Sequence, residues 1–155
     1  WEEFESFSVA RKVLNGMGNF DETAMTQETG ETVAGATLRL YNPLTHEWSL
    51  HWADSVSGAL FTPMVGKFDR ENGRGEFYAQ ELFEGRHIYS RFIWSEITSA
   101  SCRWEQAFSA DGGKSWETNW IMTFTRRQDA VRHGGDAEAA AFGGHMLRRL
   151  RLSIM

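Results

Sequence analysis

The chain has 155 residues, with 7 Trp, 11 Phe and 3 Tyr against 2 Pro, 15 Gly and 1 Cys, and a net charge of −5. That length suits one domain or one domain with an appendage, and 41% hydrophobic with 24% charged residues excludes a disordered chain. The single Cys excludes an intrachain disulfide framework or a multi-Cys zinc site, the acidic balance argues against a nucleic-acid partner, and no apolar run is long enough for a membrane-spanning helix.

The opening residues Trp1-Glu2-Glu3-Phe4-Glu5 have no basic n-region and no apolar h-region, so no signal peptide is expected and a cytoplasmic location is. From there the chain reads as strands separated by turn residues. Strands are predicted over 1–9 and 17–24, around Asn15-Gly16, and then over 36–41. Asn42-Pro43-Leu44-Thr45 predicts a type I turn, with Pro at its second position. Further strands follow over 47–54, 64–68, 75–83, 87–97, 101–109 and 116–126, with turns at 69–73, Glu84-Gly85, 98–100 and Asp111-Gly112-Gly113. No connection is long enough for a parallel crossover, so the fold class is all-β, an antiparallel up-and-down meander of about nine strands.

Period-2 alternation supports this. Trp48, Leu50 and Trp52 oppose Glu47, Ser49 and His51; Ile88, Phe92 and Trp94 oppose His87, Tyr89 and Arg91. Cys102, Trp104 and Phe108 oppose Arg103 and Glu105; Trp116, Trp120, Met122 and Phe124 oppose Glu117, Asn119 and Thr123. Pairing Phe108 with Trp116, Trp104 with Trp120 and Glu105 with Asn119 keeps these faces consistent, although the Gly pair could host a bulge. With no helix to cover it, the meander is expected to close into a barrel, with a two-sheet sandwich as the alternative.

The composition changes near residue 126. Residues 1–125 carry a net −8 and residues 126–155 a net +3, and only one aromatic, Phe142, lies beyond Phe124. We therefore expect a barrel domain over 1–126 and a basic tail over 127–155. Helix formers over 136–142 between Gly pairs, and Leu147, Leu150 and Ile154 at helical spacing, predict a short helical or disordered tail. A membrane- or partner-binding helix is the sharper alternative.

Several runs resemble a bacterial calycin-like domain family of unknown function. They are Gly16-Met17-Gly18-Asn19-Phe20-Asp21-Glu22, Thr37-Leu38-Arg39-Leu40-Tyr41-Asn42-Pro43, the long block from Arg103-Trp104-Glu105-Gln106 to Asp111-Gly112-Gly113, and Trp116-Glu117-Thr118-Asn119-Trp120. The resemblance covers residues 1 to about 126 and implies a β-barrel shaped like lipocalins and fatty-acid-binding proteins, without implying an activity. Members of that family begin with a further Gly-x-Trp strand and stop soon after the last strand. This copy therefore reads as N-terminally truncated, with an unpaired edge expected where the missing strand would lie.

The aromatic face is the first candidate site. Each buried ring removes about 150–250 Å² from water, so Trp48, Trp52, Phe92, Trp94, Trp104, Phe108, Trp116 and Trp120 cannot all be surface residues. They either simply fill the barrel or line a cavity for a small hydrophobic or aromatic ligand. In that ligand site Trp48, Trp52, Phe92, Trp94, Trp104 and Trp120 would make the contacts, with Gln106 as a polar orienting group. Asn19 and Asp21 share one face, so Asp21 could enter the lumen as an acid or base; the alternative is an exposed carboxylate. His51 lies opposite the Trp48/Trp52 face with Asp54 nearby, and a His–Asp pair without a nucleophile is weak evidence for catalysis. No metal-ligand spacing is present and no cofactor is expected; a haem would need an axial His in an apolar pocket, and His145 is the candidate.

Arg39, Arg91, Arg103, Glu105 and Glu117 are expected mostly outside, in weak cross-strand pairs. The inverse arrangement would place them inside to bind an anion, with the tryptophans outside as an oligomer surface. Cys102 shares the aromatic face and reads as a buried, inert thiol. No P-loop, GxSxG elbow or Rossmann fingerprint occurs. Three readings follow: a non-catalytic barrel binding a small hydrophobic molecule; an isomerase or hydrolase using Asp21 or His51; and a self-associating module, forming a homodimer through its tryptophans.

Overall fold

An alternating strand hides its apolar face only if its neighbours on both sides keep the same register, and a closed sheet meets that condition at every strand. The computed structural model, which describes residues 1–26, 29–127 and 139–148, has this form. Its strands are β1 (Glu2–Val13), β2 (Gly18–Thr26), β3 (Thr32–Asn42), β4 (Glu47–Asp54), β5 (Met64–Asp69), β6 (Arg74–Phe83), β7 (Arg86–Ser95), β8 (Ser101–Ser109), β9 (Glu117–Arg126) and β10 (Ala139–Arg148). Each pairs antiparallel with the next in sequence, and β10 returns to β1, closing an up-and-down barrel. No helix among the described residues is long and apolar enough to cross a membrane.

The links match their sequences. Glu84 and Gly85 both have positive φ (47° and 79°), the backbone twist that a two-residue hairpin between Phe83 and Arg86 requires. Asn42 Oδ1 accepts the backbone N–H groups of Leu44 and Thr45 and so shapes the β3–β4 turn. The core centres on Phe77, Leu50 and Met64, with Trp48, Ala79, Phe92 and Trp94 packed around them. The wall is least continuous between β4 and β5, which pair only over Trp48–Gly66, Ser49–Val65 and Leu50–Met64. Beyond these the chain loops through residues 55–63, returning where the Phe61 N–H meets the Trp52 carbonyl at 2.9 Å.

Three expectations are corrected. The described part of the tail is not helical: Ala139–Arg148 is a barrel strand, paired with β1 from Glu2–Arg148 to Arg11–Ala139 and with β9 from Phe142–Arg126 to Arg148–Trp120. The free edge of β1 offers a ladder along the whole segment and that of β9 a second one from Phe142 onward, and these outweigh the helix preference of Ala139, Ala140 and Ala141. Consequently β1 has no unpaired edge. Residues 128–138 and 149–155, which include the first three positions of the expected 136–142 helix as well as Leu150 and Ile154, lie outside the described residues.

The final hairpin has a different register, with Trp104 opposite Met122, Glu105 opposite Ile121, Gln106 opposite Trp120 and Phe108 opposite Glu117, and a bulge between Gln106 and Ala107. The cause lies in the turn. Asp111 gathers the hydroxyls of Ser109 and Ser115 and the N–H groups of Lys114 and Ser115, which also hold its carboxyl well below the usual carboxylate range. This wider turn keeps Trp116 in the loop, its indole N–H on the Gly113 carbonyl at 3.1 Å. The bulge then reverses the parity of the residues before it, so Trp116 packs outside, 4.4 Å under the Arg91 guanidinium and edge-on to Tyr78.

The third correction is Arg39. It shares the inward face with Thr37, opposite Leu50, because its register partner Asn19 and the nearby Asp21 supply acceptors for its charge there. Arg103 and Glu105, by contrast, pair with each other at 3.0 Å on the outer face.

Candidate functional site

The register carries one continuous inner face around the barrel, and its two halves differ chemically. On β1 to β3 it is mainly polar, with Ser6, Ser8, Asn19, Asp21, Thr23, Thr37 and Arg39 beside Met25. On β4 to β9 it is mainly apolar and aromatic, with Trp48, Leu50, Trp52, Phe77, Phe92, Trp94, Trp104 and Phe124, interrupted by Asp54, Glu81, Ser90 and Gln106.

Hydrogen bonds join the polar half. Arg39 Nη1 donates to Asp21 Oδ1 and, at 3.0 Å, to Asn19 Oδ1. Thr23 Oγ1 donates to Asp21 Oδ2 at 3.1 Å, and the Thr23 and Ser8 hydroxyls are 2.7 Å apart. The Asp21 side chain is 8% exposed and that of Arg39 20%. A buried carboxylate stays charged only with a partner of this kind, and each takes part in two or more interactions.

Ring contacts join the aromatic half. Phe92 meets Trp104 edge-on at 4.8 Å, Trp104 meets Trp120 edge-on at 5.8 Å, and Trp94 stacks on Phe124 at 5.7 Å with planes 22° apart. The halves meet across the lumen, where the Arg39 guanidinium lies 5.7 Å over the Trp94 ring. Trp52 lies against Gly35, where a Cβ would collide with its ring, and its indole N–H donates to Asp54 Oδ2 at 3.2 Å. Burial opposes ionisation of Asp54, but hydrogen bonds from Ser57, Trp52 and Val56 outweigh it and hold the carboxyl below its ordinary value.

Trp48, Trp52, Phe92, Trp94, Trp104, Gln106 and Trp120 all lie on this inner face, with Trp120 beside the bulge. Gln106 is occupied by its neighbour, donating from Nε2 to Asn119 Oδ1 at 2.9 Å. Asp21 enters the lumen. His51 does not: it is half-buried on the outer face with its Nε2 3.0 Å from Ser49 Oγ, on the opposite side of the strand from Asp54. His145 is exposed on the outer face of β10, between Glu5 and Thr123. Compared with models of protein families, with curated proteins and with solved structures, the chain matches none. The architecture itself, a closed ten-strand antiparallel barrel, is consistent with the calycin-like shape that the sequence resemblance implies.

The polar half is what the sequence reading missed beyond Asp21. Its signal was present as a shared parity, Ser6 with Ser8, Asn19 with Asp21 and Thr23, and Thr37 with Arg39, on strands that otherwise alternate weakly. Cys102 sits on the inner face opposite Phe124, where burial pushes its thiol up and Arg39 only partly offsets the shift. A thiol held neutral reacts slowly, so labelling of native protein by a disulfide reagent at pH 7 should be at least about tenfold slower than in denaturant. Equal rates in the two conditions would contradict this placement.

Proposed function

We propose that the barrel binds a small hydrophobic or aromatic molecule in its lumen and holds it without catalysis, as a cytoplasmic member of the calycin-like group. The observation that supports this best is the division of the inner face, a run of inward tryptophans and phenylalanines opposite a polar wall whose charges are already paired. An aromatic surface beside a few placed polar groups is the usual form of a small-molecule site. The inward tryptophans favour this over a homodimer built on an exposed Trp stripe. Asp21 is the residue through which an enzyme reading would run. Its oxygens are engaged by Arg39 and Thr23, which suits it to organising the wall better than to taking a proton from a substrate.

Titration with N-phenyl-1-naphthylamine, a neutral dye that emits in apolar surroundings, is expected to give saturable one-to-one enhancement with energy transfer from tryptophan. Trp104→Ala should weaken it about tenfold. No saturable signal from a protein whose circular dichroism shows a folded barrel would overturn the reading.

A further inference from the structure

Among the described residues the lumen contains hydrogen-bonding atoms that are buried and have no partner: Ser6 Oγ, the indole nitrogens Trp94 Nε1 and Trp120 Nε1, and, at the bulge beside Trp120, Asn119 Nδ2. An indole nitrogen only donates, and a buried donor left unmet is costly, so each is a place where an acceptor would be stabilising. Ser6 and Trp94 belong to one neighbourhood. Ser6 lies against Gly144, where a Cβ would collide with its hydroxyl; the same Cβ would lie 3.7 Å from Phe124, which stacks on Trp94, which in turn lies under Arg39. The unmet Trp94 N–H thus sits where the aromatic wall meets the polar one. Trp120 instead lies toward the barrel's rim, with Arg148 5.0 Å over its ring.

Charge narrows the chemistry further. Arg39 and Asp21 neutralise each other; of the other inward carboxylates, Glu81 accepts the Ser90 hydroxyl and Asp54 accepts from Trp52, Val56 and Ser57. An anionic ligand would have to compete with Asp21 for Arg39 and bring two carboxylates together. A cationic ligand would find the oxygens of Asp21 taken by Arg39 and Thr23. Resting on the ligand-binding reading above, we infer that the ligand is a neutral aromatic molecule bearing a carbonyl-type oxygen, and that this oxygen accepts the N–H of Trp94. The Trp94 ring is half-buried while its nitrogen is covered, so binding includes a small rotation of the indole that presents the N–H to the ligand.

The test compares 2-acetylnaphthalene, 2-ethylnaphthalene and 2-naphthoate by isothermal titration calorimetry, with the indole N–H resonances followed by ¹H–¹⁵N NMR. The ketone is expected to bind roughly tenfold tighter than its ethyl isostere, and to move the Trp94 indole proton downfield where the ethyl compound does not. In Trp94→Phe the two should bind alike; in Trp120→Phe the ketone should keep its advantage. Equal binding by wild-type protein, an advantage that survives Trp94→Phe, or tighter binding of the naphthoate overturns the inference while leaving lumen binding intact. If none of the three binds, the underlying reading fails and the inference with it. Should Trp94→Phe not fold, the wild-type indole shift decides the matter alone.

Discussion

Phe77→Ala is expected to lower the unfolding free energy by about 3–5 kcal/mol, the range for removing a buried aromatic ring from a core that cannot collapse around the gap. Phe77 is 0% exposed, packs with Leu50 and Met64, and meets Phe68 edge-on at 5.3 Å. It also faces Gly66, where any side chain would meet the β6 backbone; a Cβ there would lie 2.7 Å from Phe77 Cα. β5 therefore already lies close against β6 here, and position 66 has no side chain that could fill the gap. Urea denaturation followed by near-ultraviolet circular dichroism measures the loss. A cost below about 1 kcal/mol would mean that the lumen at this level is loosely packed or wet.

Asp21→Ala is expected to cost about 2–4 kcal/mol, most of it from the Arg39 charge left in the lumen without its counter-ion. The range is set below that for a fully enclosed pair because the Arg39 side chain retains 20% exposure. Thr23 loses its acceptor in the same step. Removing both charges, in Asp21→Leu with Arg39→Met, should recover most of the stability, because an apolar pair of similar size needs no compensation. A double variant as unstable as Asp21→Ala would mean that the polar wall, rather than its charge balance, holds β2 and β3 together.

The strands that were legible in the sequence are those whose two faces meet different surroundings. Trp48, Leu50 and Trp52 alternate with Glu47, Ser49 and His51 because one set lines the lumen and the other the outer wall. β10 was not legible for the opposite reason. Its run Ala139–Phe142 carries no period-2 contrast, and its conformation is imposed by pairing with β1, at the other end of the chain. Arg39 was assigned outside by its charge alone, and what brings it inward lies on another strand, in Asn19 and Asp21. Trp116 was misplaced by a single extra residue, since parity carried through an unseen bulge inverts every side chain beyond it. The aromatic half of the candidate site was thus readable from local alternation. The polar half emerged only from pairings between strands.

The seam between β1 and β10 also has a kinetic consequence. Every other ladder of the barrel joins neighbours in the chain, and a hairpin of that kind can begin to form from nearby residues. The closing ladder joins Ser8 to Phe142, across nearly the whole described chain, and its loop-closure entropy must be met before any of its hydrogen bonds can repay it. Closure should accordingly be the late, slow phase of folding. Until it occurs, β1 and β10 each expose a long free edge, and two chains caught at that stage can pair edge to edge.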